Sequence, residues 1–288
     1  MLPNVLVIGA QKAATSWIYQ CLKEHPDVFV PFVKEQHFFD QNYHEGLEWY
    51  ERYFKGYGSE KAICDVSPSY LSSGIAPERI KNALGDIKLI VCLRNPIDRA
   101  FSQYKMHLRK KTADKPFEEL WRRDEKSEYV QFGRYYTHLE QYLEFFPKEN
   151  ILVLIYEDIQ NDPISFIQRI YRFIGVDENF KPKSADKIIP PESLEYGSFY
   201  KFAKKLTSII RKWGMGSLVE AVKRSKVQVL LDRIMIRSSH GERIDNKDQK
   251  DAKKMEMDPQ TRIELREVFS DEIKKLSELI DRDLSFWK

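Results

Sequence analysis

The chain has 288 residues, 32% of them charged and 42% hydrophobic, with a formal net charge of +3. That length fits one large α/β domain or two small ones. The composition is that of a soluble globular protein, and the charge is too balanced for nucleic acid to be the main partner.

No apolar run reaches the roughly 18 residues of a membrane span, and no basic segment followed by a long apolar run opens the chain. The three cysteines, Cys21, Cys64 and Cys92, are odd in number and form no C-x-x-C pair. Neither a disulfide framework nor a zinc site is expected. Buried, reduced thiols and a cytoplasmic location are.

The first predicted element is a buried strand over 5–8, ending at Gly9. A helix over 15–24 follows, and the loop between them carries Lys12. Strand, glycine, lysine, hydroxyls and helix make a phosphate cradle, in which the amides of Ala13, Ala14, Thr15 and Ser16 and the helix dipole face an anion. A plain turn with a surface lysine is the bland alternative. A Walker A loop counted from Gly9 wants glycine at 14 and lysine at 15. The chain has Ala14 and Thr15, with its lysine three positions early.

The segment Lys34-Glu35-Gln36-His37-Phe38-Phe39-Asp40 comes next. Glu35 and His37 compete for the role of general base. On an extended segment they would share a face; at a helix start they would not. Lys34 is either a steering cation or a solvated one. A short strand over 62–64 leads through Asp65 to Ser67-Pro68-Ser69-Tyr70, and a helix over 77–84 closes at Gly85.

The strand over 87–93 delivers Arg94, not the acidic residue that would hold Mg²⁺ in an NTPase. Asn95 and Pro96 start a helix over 96–109, which carries Ser102 two turns in. Arg94 and Ser102 can converge on a second anion; alternatively Arg94 pairs with Asp98. A helix over 133–145 bears the aromatic residues Tyr135, Tyr136, Tyr142, Phe145 and Phe146, expected mainly as packing. A strand over 151–155 and a helix over 164–174 with Gly175 as its cap complete the core. Strands alternating with helices predict a parallel sheet covered on both faces.

After residue 181 the chain turns basic and loses strand signals. Helices are expected around 198–212 and 217–236, then a polar loop over 238–257 containing Arg243 and Lys247. Asp258 and Pro259 open a last amphipathic helix. The chain reads as one domain over 1–288: a core over 4–180, a basic helical segment over 181–257, and a terminal helix over 258–288.

With these motifs in order, the chain resembles the sulfotransferases that use 3′-phosphoadenosine 5′-phosphosulfate (PAPS), in particular the heparan-sulfate N- and 3-O-type and their bacterial relatives. Lys12-Ala13-Ala14-Thr15-Ser16 is similar to the family's 5′-phosphosulfate loop, with Ala14 where the family usually has glycine. Arg94-Asn95-Pro96, Arg99 and Ser102-Gln103-Tyr104 are similar to its 3′-phosphate motif, and Lys34 to Asp40 to the segment between them. The resemblance implies a P-loop-like three-layer fold and no metal. It implies Lys12, Thr15 and Ser16 at the 5′ end of the donor, Arg94 and Ser102 at the 3′-phosphate, and Glu35 as the base. Arg243 or Lys247 would close over the 3′-phosphate, and Gly133-Arg134-Tyr135 would help to frame the site. The acceptor would be a carbohydrate or other small hydroxyl or amine compound. Two phosphate sites without a magnesium ligand fit that donor; the competing class is a P-loop small-molecule kinase using Mg-ATP. The oligomeric state stays open.

Overall fold

The computed structural model describes residues 1–122, 127–185 and 255–287. These fall in one compact unit, Met1–Pro191 with Met255–Lys288. The helices expected at 198–212 and 217–236, and with them Arg243 and Lys247, lie outside the described residues.

Five parallel strands form the centre: β1 (Val5–Gly9), β2 (Val28–Phe29), β3 (Ala62–Val66), β4 (Lys88–Leu93) and β5 (Ile151–Ile155), in the spatial order β2-β3-β1-β4-β5. Every pairing is parallel. Apart from the edge strand β2, each is a short, mostly β-branched or aliphatic run, broken in β3 by the buried Asp65, and β1 and β3 are buried along their whole length. Such continuous apolar runs suit strands covered on both faces.

The helices flanking the sheet are α1 (Thr15–Glu24), α2 (Leu47–Glu51), α3 (Ala76–Leu84), α4 (Pro96–Arg109), α5 (Phe117–Arg122), α6 (Glu128–Gln131), α7 (Tyr135–Leu143), α8 (Glu157–Asn161), α9 (Pro163–Ile174) and α10 (Pro259–Ile280). Helix α9 shows how sequence sets an element. Asp162 caps its start by accepting from the Ser165 amide at 2.9 Å, and Gly175 ends it in the left-handed region at φ 83°. Its buried Phe166, Ile167, Ile170, Tyr171 and Ile174 recur at helical spacing. Each such side chain contributes roughly 1.5–3 kcal/mol of burial.

Several expectations need correction. The two-residue strand β2 is too short to leave a periodic signal, and its pairing with β3 alone creates it. Helix α7 is shorter than the expected 133–145: Gly133 stands before it in the turn that follows α6, its amide donating to the Val130 carbonyl at 2.9 Å. A Cβ there would meet Phe269 of α10 at 2.8 Å and Pro96 of α4 at 3.0 Å. The three cysteines are free and buried, as expected. The aromatic residues on and after α7 are mostly core, with Tyr135, Tyr142 and Phe146 at most 1% exposed.

Candidate active site

Since all five strands run the same way, the loops that follow them emerge along one edge of the sheet. In open α/β sheets this carboxyl edge is where ligands bind. The loops after β1, β2, β3, β4 and β5 carry Lys12, Glu35, Ser69, Arg94 and Tyr156 respectively.

The loop after β1 turns through two left-handed residues, Lys12 at φ 69° and Ala14 at φ 60°. Ala14 occupies the N-cap of α1 and offers no side-chain cap. The first amides of a helix lack the usual intrahelical acceptor. Here the Trp17 amide turns back to the Ala14 carbonyl at 2.9 Å, and the Ala13 amide, expected to face an anion, donates instead to the Ala10 carbonyl at 3.3 Å. The donors left at this end of α1 are the amides of Ala14, Thr15 and Ser16 with the hydroxyls of Thr15 and Ser16. Gly9 is needed for packing: a Cβ would meet Leu71 at 2.6 Å.

The loop after β2 brings the second group. Glu35 and His37 also sit at positive φ, 65° and 52°. The segment is therefore neither extended nor a helix start. The two side chains nonetheless share a face, with Glu35 Oε2 at 4.0 Å from His37 Nε2. Residues held in sparsely populated backbone regions collect at functional sites, and four of this chain's such residues lie on these two loops. The segment is over-determined from below. The Glu35 amide donates to the Val66 carbonyl at 3.1 Å, and the Phe38 amide donates to the Tyr70 hydroxyl at 3.0 Å. The Tyr70 hydroxyl donates in turn to Asp65. Asp65 is fully buried and also accepts from Tyr50 at 2.7 Å and Ser67 at 2.8 Å. Burial pushes its carboxyl up, against those three bonds. Phe38 stacks on Tyr50 at 4.5 Å between ring centroids.

His37 Nδ1 lies 3.3 Å from Asp40 Oδ2 and 3.0 Å from Ser69 Oγ. The hydrogen bond with Asp40 raises the histidine above its usual range against the effect of burial. Burial alone would raise Asp40, but hydrogen bonds from His37 and Ser69 outweigh it and hold the carboxyl low.

Of the two sequence readings for Lys34, the solvated one does not hold. Its side chain is 9% exposed. Its ammonium donates to Ser16 Oγ at 2.9 Å and Thr15 Oγ1 at 3.3 Å, and pairs with Glu35 Oε1 at 2.9 Å. No spacing rule could have found this, because Lys34 and Ser16 meet only through the unpatterned loop after β2.

On the other side of β1, Arg94 does not pair with Asp98. That carboxylate is taken by Arg262 of α10 at 2.6 Å. Arg94 lies over the Tyr156 ring, 4.8 Å from its centroid, and donates to the Lys12 carbonyl at 3.4 Å. Its own carbonyl accepts from the Tyr135 hydroxyl at 3.0 Å. Asn95 caps α4 by accepting from the Ile97 amide at 2.9 Å. Ser102 is buried two turns into that helix. Arg99, from the same motif, is fully buried and bonded to Gln103 and the Tyr129 carbonyl. It braces the fold instead of facing a ligand.

A parallel sheet in the order 2-3-1-4-5, a helix N-terminus with two hydroxyls, and an arginine one strand away lie together at the carboxyl edge of the sheet, the arrangement of a P-loop-like α/β protein. The chain matches the sulfotransferase domain family over residues 2–277 and belongs to it. It is 34% identical over 182 residues to mouse heparan sulfate glucosamine 3-O-sulfotransferase 3B1, covering 61% of this chain and 46% of that one. It is 33% identical over 180 residues to human heparan sulfate glucosamine 3-O-sulfotransferase 6, covering 60% and 52%. The chain thus spans about half the length of the curated relatives it matches. A sulfotransferase from Alicyclobacillus acidocaldarius shares its fold, with a TM-score of 0.71 over 100% of this chain and 99% of that one, at 24% identity. Nothing in these matches favours the kinase class.

Proposed function

We propose that the chain transfers the sulfuryl group of PAPS to a hydroxyl or amine of a carbohydrate or other small acceptor. The observation that carries this reading is the joining of the α1 cradle to a carboxylate by Lys34, in a member of the sulfotransferase family. The glucosaminyl acceptors named for the relatives support a carbohydrate.

The residues present suit the donor. The amides of Ala14, Thr15 and Ser16, with the hydroxyls of Thr15 and Ser16, hold the 5′-phosphate, and Arg94 and Ser102 hold the 3′-phosphate. Arg243 and Lys247 are further candidates for the 3′-phosphate. In the reaction the acceptor oxygen attacks sulfur while the bond from sulfur to the bridging phosphate oxygen breaks. Glu35, with its side chain 41% exposed, takes the acceptor's proton. Lys12 neutralises the charge that grows on the bridging oxygen, and the product nucleotide is adenosine 3′,5′-bisphosphate. His37, tied to Asp40, is the alternative base and otherwise orients the acceptor. The three buried thiols are in keeping with action in the cytoplasm.

Calorimetric titration with adenosine 3′,5′-bisphosphate, AMP and Mg-ATP tests the reading. Metal-independent binding of the bisphosphate, tighter than that of AMP, is expected. Equal affinity for bisphosphate and AMP, or preference for Mg-ATP, would overturn it. The acceptor class is tested by transfer of labelled sulfate from PAPS to glucosaminyl oligosaccharides.

A further inference from the structure

Lys34 has three ammonium protons and three partners: Thr15 Oγ1, Ser16 Oγ and Glu35 Oε1. The first two belong to the cradle for the donor's 5′ end and the third is the candidate base. We propose that Lys34 is a shared positioning cation through which the arriving donor releases Glu35, so that the base is free for the acceptor only once the donor is seated. This inference rests on the donor site and the base assignment given above.

The argument runs through the chemistry of each partner. A hydroxyl has one proton and two acceptor lone pairs. Because Lys34 donates to both hydroxyls, their own protons are left to point elsewhere, and the open direction is the cradle. Lys34 therefore presets Thr15 and Ser16 as donors to an anion. An ammonium this well covered needs a counter-charge, and Glu35 is the carboxylate within reach, at 2.9 Å. A phosphate seated at α1 brings stronger negative charge to the same ammonium and competes with Glu35 for it. Glu35 is the more exposed partner of the pair, 41% against 9%, so it is the one free to move. Its second oxygen already faces His37 at 4.0 Å, and that ring is held by Asp40 and Ser69, which gives the released carboxylate a fixed neighbour.

A four-protein cycle tests this, with adenosine 3′,5′-bisphosphate as the probe and calorimetry as the readout: wild type, Lys34→Met, Glu35→Gln and the double variant. Lys34→Met should weaken binding about tenfold, the scale of one charge-assisted contact. Glu35→Gln should tighten it roughly threefold to tenfold by removing the competitor. In the Lys34→Met background the Glu35→Gln effect should shrink to within about twofold, because the competition needs the ammonium. Lys34→Arg should keep affinity within about threefold of wild type, since it restores the charge. Additive effects across the cycle, or wild-type affinity in Lys34→Met, would overturn the inference while leaving the donor reading intact. Failure of the wild type to bind the bisphosphate would overturn both. Should Lys34→Met not fold, Lys34→Gln, uncharged but polar, carries the same cycle.

Discussion

The hydroxyl of Tyr135, at the start of α7, donates to the backbone carbonyl of Arg94 at 3.0 Å. Tyr135 is 1% exposed, so the bond is shielded from water, and it fixes the point where β4 hands over to α4. Tyr135→Phe leaves that carbonyl without this donor. A fall in stability of about 1 kcal/mol is expected, the net worth of one such bond. Bisphosphate affinity should fall severalfold at unchanged fold, as calorimetry would read. Affinity equal to wild type would show that Arg94 does not depend on Tyr135 for its position.

Gly133 makes a related prediction. A methyl group there would press on Phe269 and Pro96 at once. Overfilling a packed interior costs about 1–3 kcal/mol, so Gly133→Ala should lower the denaturation midpoint by a corresponding amount. Pro96 opens α4, so the same variant should also weaken bisphosphate binding.

The parts of this site that sequence made legible are those with a local cause. The runs that became β1, β4 and β5 are apolar and short, Asn95-Pro96 is a local helix start, and Gly175 a local stop. Arg94 and Lys12 could be placed because each follows a strand directly. Lys34 could not, because two of its partners, Thr15 and Ser16, stand on α1 and are reached only through the short strand β2 and the irregular loop after it, which no periodicity reports. The resemblance sets Arg99 in the 3′-phosphate motif; only its burial assigns it to the frame. The Glu35 and His37 pair shows a further limit. The backbone there is neither extended nor helical, yet left-handed geometry at each position still brings the side chains together.

Ala14 stands in the left-handed region at φ 60°. A side chain there costs roughly 1–2 kcal/mol relative to glycine in the folded state, offset in part by glycine's greater freedom when unfolded. Ala14→Gly is therefore expected to raise stability by up to about 1 kcal/mol, read as a higher denaturant midpoint. A lower midpoint would mean that the Ala14 methyl group packs better than its backbone costs.

The His37–Asp40 pair sets a pH dependence. His37 is raised in the folded protein, so its contribution is full below its unfolded value of about 6.5 and is lost as pH rises through the folded value. Asp40 is lowered, so its contribution is present above its unfolded value of about 4 and is lost as pH falls through the folded one. The stability difference between wild type and Asp40→Asn should therefore be largest at about pH 4–6.5 and shrink on both sides. Proton NMR of the His37 ring should show its midpoint moving down in that variant. A difference that grew steadily above pH 7 would contradict the pairing.

Lys12 bears on the chemical step. It follows β1 in a left-handed turn before α1, so its charge stands at the donor's 5′ end in the proposed reaction. Charge develops on the bridging oxygen only as the bond to sulfur breaks, and a cation that meets it there stabilises the transition state more than the bound donor. Lys12→Ala should then cut turnover about a hundredfold or more, the usual cost of one such group. Arg94→Ala, at a phosphate that does not change during the reaction, should weaken donor binding more than it slows turnover. Initial rates at saturating donor separate the two effects. A loss below about threefold for Lys12→Ala would assign the lysine to binding alone, and the neutralisation of the leaving group would have to come from another cation of the cradle, with Lys34 the nearest to hand.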